Sequence, residues 1–159
     1  KSSDFYTTPN GLSNPIKCIA KGKQVGFVNK ASVSAHPEWI ETWKVMVSRA
    51  NNIGTELNDD NLNTLILEPG CVCTESYMII GADLKLNENE CNNLCSYLHT
   101  KFVRFLHSLA KSSQDATSKT YRFIPMQDMK QEWNDTMLYK KYGLSDSEIE
   151  LIESTILPM

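Results

Sequence analysis

The stretch Asn87–Lys111, NENECNNLCSYLHTKFVRFLHSLAK, decides how the chain is read. Within it Cys91, Leu94, Cys95, Leu98, Phe102, Phe105, Leu106 and Leu109 recur at helical spacing. The spacing predicts one amphipathic helix from about Glu88 to Lys111, laying its apolar stripe on a sheet. His99 falls at the edge of that stripe, and His107 faces away from it. Lys101, Arg104, Ser108 and Lys111 fall roughly 80° to 160° from the centre of the stripe. They form a polar band that reads either as a solvated face or as a surface that tracks phosphates.

Upstream of this helix the period shortens. Ile16 to Ala20, Gln24 to Val28, Trp43 to Ser48, Thr64 to Leu67 and Val72 to Ile80 are rich in Val, Ile, Thr or aromatics. Gly, Asn or Pro bound each run, as expected of strands. Lys21-Gly22-Lys23 turns the first two into a hairpin. His36-Pro37-Glu38-Trp39-Ile40 reads as a helical turn, with Trp39 and Trp43 in the core. Asn51 to Asn63 and Ser112 to Thr120 are polar loops, and Tyr121 to Pro125 is a short extended piece. Downstream, Asp135 to Tyr142 ends at Gly143, a helix C-cap. Ser145-x-x-Glu148 opens a last helix by a capping box. Strands followed by helices give an α+β class, a twisted and mostly antiparallel sheet packed by one long helix. Residues 1–128 carry the sheet and long helix, and 129–159 are a helical extension of the same domain.

The chain has 159 residues, 41% of them hydrophobic and 22% charged. These fractions suit one globular domain and exclude collagen-like and disordered classes. No apolar run is long enough to span a membrane. The opening Lys1-Ser2-Ser3-Asp4 is polar and lacks an initiator Met, so the expectation is a piece of a larger protein. Five cysteines, an odd number, favour a reducing, cytoplasmic setting with free thiols. Cys71-x-Cys73 and Cys91-x3-Cys95 do not have a familiar zinc spacing, and both pairs read as core.

The net charge of −3 hides an uneven distribution. Residues 1–50 carry seven basic and three acidic groups, and residues 51–100 one and eight. Residues 101–122 carry five basic groups against Asp115 alone, and residues 123–159 return to net negative. Two basic segments inside an acidic chain can still form a surface that attracts phosphate.

Catalytic signatures are sparse. There is no G-x-S-x-G elbow, P-loop or dinucleotide fingerprint. Asp83-Leu84-Lys85, with Glu68 or Glu75, is a bare D-x-K pattern of the kind magnesium nucleases use, and it supports a metal-dependent nuclease as an alternative. Asn14-Pro15-Ile16 is half of an (N/D)PP(Y/F) amino-methyltransferase motif without its second Pro or its aromatic. The chain by itself reads as non-catalytic, with no metal ligands.

Several blocks taken together are familiar. They are Thr8-Pro9-Asn10-Gly11-Leu12-Ser13 with Gly26-Phe27-Val28, then Trp43 to Ala50, then Val72 to Gly81. Further on come Tyr97-Leu98-x-Thr100-Lys101-Phe102-Val103-Arg104-Phe105-Leu106 and Phe123-Ile124-Pro125-Met126-Gln127-Asp128. Trp133-Asn134-Asp135-x-x-Leu138-Tyr139-x-x-Tyr142-Gly143-Leu144 completes the set. Over nearly the whole chain this pattern resembles the C-terminal target-recognition region of bacterial restriction–modification proteins. The nearest group is the adenine-N6 methyltransferases and combined methyltransferase–endonucleases with a TaqI-like specificity domain. Asn10 departs from it, standing where relatives often carry Phe.

The resemblance implies a region that reads double-stranded DNA for a separate catalytic domain of the same parent protein. S-adenosylmethionine, magnesium or both would belong to that other domain, which flips the adenine. Lys101, Arg104, Lys111 and Lys119 are then the expected phosphate contacts. Ser13, Asn14, Lys17, Arg49, Asn51, Asn52 and Gln114 are the expected loop or strand-end base readers. A module that docks a partner subunit is a further alternative.

Overall fold

The computed structural model describes residues 4–53, 62–113 and 115–159. Its strands are β1 (Pro15–Ala20), β2 (Gln24–Asn29), β3 (Lys44–Ser48), β4 (Leu65–Leu67), β5 (Cys71–Cys73) and β6 (Tyr77–Ile80). Four helices follow, α1 (Glu88–His99), α2 (Lys101–Ala110), α3 (Asp135–Tyr142) and α4 (Asp146–Thr155). The class is α+β. Among the described residues no helix is long and apolar enough to cross a membrane.

The strands form two three-stranded sheets, ordered β2-β1-β5 and β4-β3-β6. Every pairing is antiparallel except β1 with β5. The expected single strand Val72 to Ile80 is therefore two strands, one in each sheet. A turn at Thr74–Tyr77, closed by Tyr77 N–H on the Thr74 carbonyl at 3.1 Å, separates them. The expected hairpin forms, with β1 and β2 joined by a turn at Lys21–Lys23. At Gly26 a Cβ would come within 2.3 Å of the Phe5 ring and 2.6 Å of the Tyr6 carbonyl oxygen. Only glycine lets the N-terminal segment lie on β2, where Tyr6 and Phe27 exchange backbone bonds.

β3 is buried on both faces, which explains its unbroken apolar run. Val45 and Val47 face the helices, in a core with Leu94, Leu98, Phe102 and Val103. Met46 points the other way, into a smaller core with Ile19, Leu67 and Cys71. At its start Lys44 is only 2% exposed. Its ammonium donates to the carbonyls of Trp39, Ile40 and Thr42, so all three donors are used. Trp39 itself is half-buried on the surface, stacked on His36, rather than in the core expected for it.

The expected single helix Glu88 to Lys111 is two helices, broken at Thr100. Thr100 has extended backbone, with φ −60° and ψ 149°. Its hydroxyl accepts the Val103 N–H and donates to the Tyr97 carbonyl. Asp135, at the start of α3, accepts the N–H groups of Lys101 at 3.1 Å and Phe102 at 2.8 Å. The new helix end thus finds acceptors for donors that would otherwise be orphaned. The break also turns the buried side of α2. Leu109, expected in the stripe, is 59% exposed, whereas Arg104 and His107 are 3% and 1% exposed.

α2 is buried on several sides because α1, α3, α4 and a turn at Ser118–Tyr121 all pack on it. That turn, with a further one closed by Ile124 N–H on the Tyr121 carbonyl, replaces the extended piece expected there. The C-terminal helices start and stop as expected. Gly143 ends α3 with φ 64°, and Ser145 and Glu148 form their capping box. Gln127 ties this end together. Its amide donates to the Tyr142 hydroxyl at 2.7 Å, and its oxygen accepts from Lys141 at 2.6 Å.

Candidate nucleic-acid interface

A nucleic-acid surface needs cations that are not already neutralised by the protein. The structure shows which of several basic residues are already paired. Lys17 pairs with Glu68 at 3.4 Å, and Lys30 with Glu41 at 2.6 Å. Lys101 pairs with Glu153 and also donates to its backbone carbonyl. That pairing and the Tyr139 hydroxyl hold the Glu153 carboxyl below the usual carboxylate range.

The expected polar band along the helix is largely turned inward. Arg104 donates to the carbonyls of His99 at 3.1 Å and Leu157 at 2.7 Å. Its guanidinium serves the C-terminal tail rather than an outer surface. Lys111 reaches Asn51, donating to its backbone and side-chain oxygens at 2.7 and 2.5 Å. Three of the four residues expected at phosphates therefore hold parts of the chain together. Lys119 is exposed on the Ser118–Tyr121 turn.

The expected base readers also separate. Ser13 and Asn14 are exposed, and both gather on Asn29. Its side-chain oxygen accepts both backbone N–H groups and the Ser13 hydroxyl at 3.1–3.3 Å. Asn51 is buried, 5% exposed, and Asn52 half-buried. Gln114 lies outside the described residues. Arg49 is exposed at the end of β3.

Arg49 opens onto a cleft of about 650 Å³ between the two sheets. The cleft is lined by the Lys21–Lys23 turn, by Ser48 to Ala50 at the end of β3, and by Asn63, Ser76, Tyr77 and Asp115. Lys21 and Lys23 are exposed like Arg49. Among the described residues the side chains of these three cations enter no ion pair and no hydrogen bond. Set against Asp115, the cleft carries a surplus of positive charge.

Its walls are held by backbone. Arg49 N–H donates to the Ser76 carbonyl at 3.1 Å, and the Arg49 carbonyl accepts the Ala116 N–H at 2.7 Å. Ala50 and Asp115 form an antiparallel bridge. The Tyr77 hydroxyl accepts the Lys23 N–H at 2.9 Å and donates to the Ala20 carbonyl at 3.2 Å. Tyr77 therefore fixes the basic turn against the second sheet.

From sequence alone, Lys21-Gly22-Lys23 reads as a hairpin turn and nothing more. The one available signal was the basic excess of residues 1–50, which does not say which cations stay unpaired.

Asp83 of the D-x-K pattern accepts the Trp39 indole N–H at 2.6 Å. Among the described residues no group of three or more His, Cys, Asp or Glu could hold a metal ion. All five cysteines are free thiols. Burial pushes Cys18 and Cys91 up to about 11 and Cys73 up to about 12, which keeps them protonated at neutral pH. No family model, curated protein or solved structure matches the chain.

Proposed function

We propose that this chain is a sequence-recognition region for double-stranded DNA, with the cleft between Lys21, Lys23 and Arg49 as its DNA-facing surface. The observation that carries the reading is the set of three exposed, unpaired cations on one cleft, while Lys17, Lys30 and Lys101 are neutralised by carboxylates. Lysines on a turn suit phosphates, which position the duplex without specifying it. Serine, asparagine and arginine along the walls suit base edges.

The motif resemblance to restriction–modification target-recognition regions supports the same reading. On it, methyl transfer or cleavage belongs to a catalytic domain of the parent protein. S-adenosylmethionine or magnesium would be held there rather than here.

The test is titration of a fluorescent random-sequence duplex and of a defined duplex pool at 50 and 200 mM salt, measured by anisotropy. Binding at low salt that weakens steeply with salt, with one sequence in the pool preferred, is the expected result. No duplex binding at low salt overturns the reading.

A further inference from the structure

This inference rests on the DNA-recognition reading and asks which base-pair edge the cleft fits. Arg49 and Asp115 line the same cleft and are both exposed, on segments joined by the Ala50–Asp115 bridge and by the Ala116 N–H on the Arg49 carbonyl. They carry opposite charges, yet no salt bridge joins them.

A carboxylate on the same cleft as Arg49 disfavours a phosphate there, so this part of the cleft is a poor backbone site. It is a good site for a surface offering acceptors next to a donor. In the major groove a G·C pair presents the guanine N7 and O6 acceptors beside the cytosine N4 amino donor. A guanidinium fork donates to the first two, and a carboxylate accepts from the third.

We propose that Arg49 and Asp115 together read a G·C base pair, with Arg49 on guanine and Asp115 on cytosine. Placement agrees with that division. Arg49 has its backbone N–H and carbonyl both bonded, as a reader that must hold register requires. Lys21 and Lys23 sit on a hairpin turn across the cleft and supply phosphate contacts, which tolerate looser geometry.

The experiment selects preferred sites from a randomised duplex library, using the full chain and the variants Arg49→Lys, Asp115→Asn and Lys21→Ala/Lys23→Ala. The wild-type chain is expected to enrich a site with one invariant G·C pair. Arg49→Lys keeps the charge but loses the fork, and is expected to cut discrimination at that pair roughly 5- to 150-fold. Asp115→Asn is expected to relax the same position. The double lysine variant is expected to weaken all duplexes alike and leave the preferred site unchanged. Retention of the wild-type preference by both Arg49→Lys and Asp115→Asn overturns the inference while the DNA reading stands. Failure of the wild-type chain to bind any duplex overturns the reading itself.

Discussion

The ammonium of Lys111, one residue past the end of α2, is bonded to both oxygens of Asn51, sixty residues earlier in the chain. This contact joins the helical layer to the loop that follows Arg49. The Lys111 ammonium thereby holds the segment that leads into the cleft. Lys111→Met leaves the Asn51 oxygens without their donor, and such a loss costs about 1–3 kcal/mol. Urea unfolding should show that loss. Duplex affinity should fall while its salt dependence stays the same, because no phosphate contact has been removed.

A second prediction concerns the break between α1 and α2. Asp135 accepts two backbone N–H groups at the start of α2, where the helix dipole also favours a negative charge. Asp135→Ala should destabilise the chain by about 1–2 kcal/mol in urea unfolding. Asp135→Asn keeps one acceptor and should cost less.

His107 makes stability depend on pH. Its Nδ1 faces the Thr120 carbonyl at 3.2 Å, and its buried Nε2 has no partner. Burial and the nearby Lys111 ammonium push its pKa down from 6.5 to about 4. The unfolded chain therefore takes up a proton near pH 6.5 that the folded chain refuses until about pH 4. The contribution is complete above pH 6.5 and is lost as pH falls towards 4, at about 1.4 kcal/mol per unit. Urea midpoints measured from pH 7 to 4.5 should fall, and His107→Phe should flatten the part of the slope that His107 carries.

Lys44 is tested by size rather than by charge alone. Lys44→Met keeps most of the stem volume but abandons three carbonyls, and should lower the urea midpoint clearly. Lys30→Met removes only an exposed ion pair and should change stability by about 1 kcal/mol or less.

These residues show where the sequence was legible. Local rules were enough for the β1–β2 hairpin, for the Gly143 stop of α3 and for the Ser145 capping box. They fail at Thr100, because the acceptor that rewards the break is Asp135, thirty-four residues away from Lys101. They fail again at Arg104 and His107. A helical wheel shows one apolar stripe, whereas α2 is covered from several sides by elements that come later in the chain. The cleft was the least legible part. Its lining comes from the β1–β2 turn, the end of β3, the start of β6 and Asp115, which only the tertiary fold brings together. Arg49 is legible from its strand-end position, whereas Lys21 and Lys23 read only as a turn.

On the DNA-recognition reading, Lys21 and Lys23 meet phosphate while the ion-paired lysines do not. The salt dependence of duplex affinity tests it directly, comparing the wild-type chain with Lys21→Ala/Lys23→Ala and with Lys17→Ala/Lys30→Ala. Loss of two phosphate contacts should reduce the slope of log affinity against log salt by about 1.8 in the first variant. The slope should stay unchanged in the second. An unchanged slope in Lys21→Ala/Lys23→Ala would contradict the account.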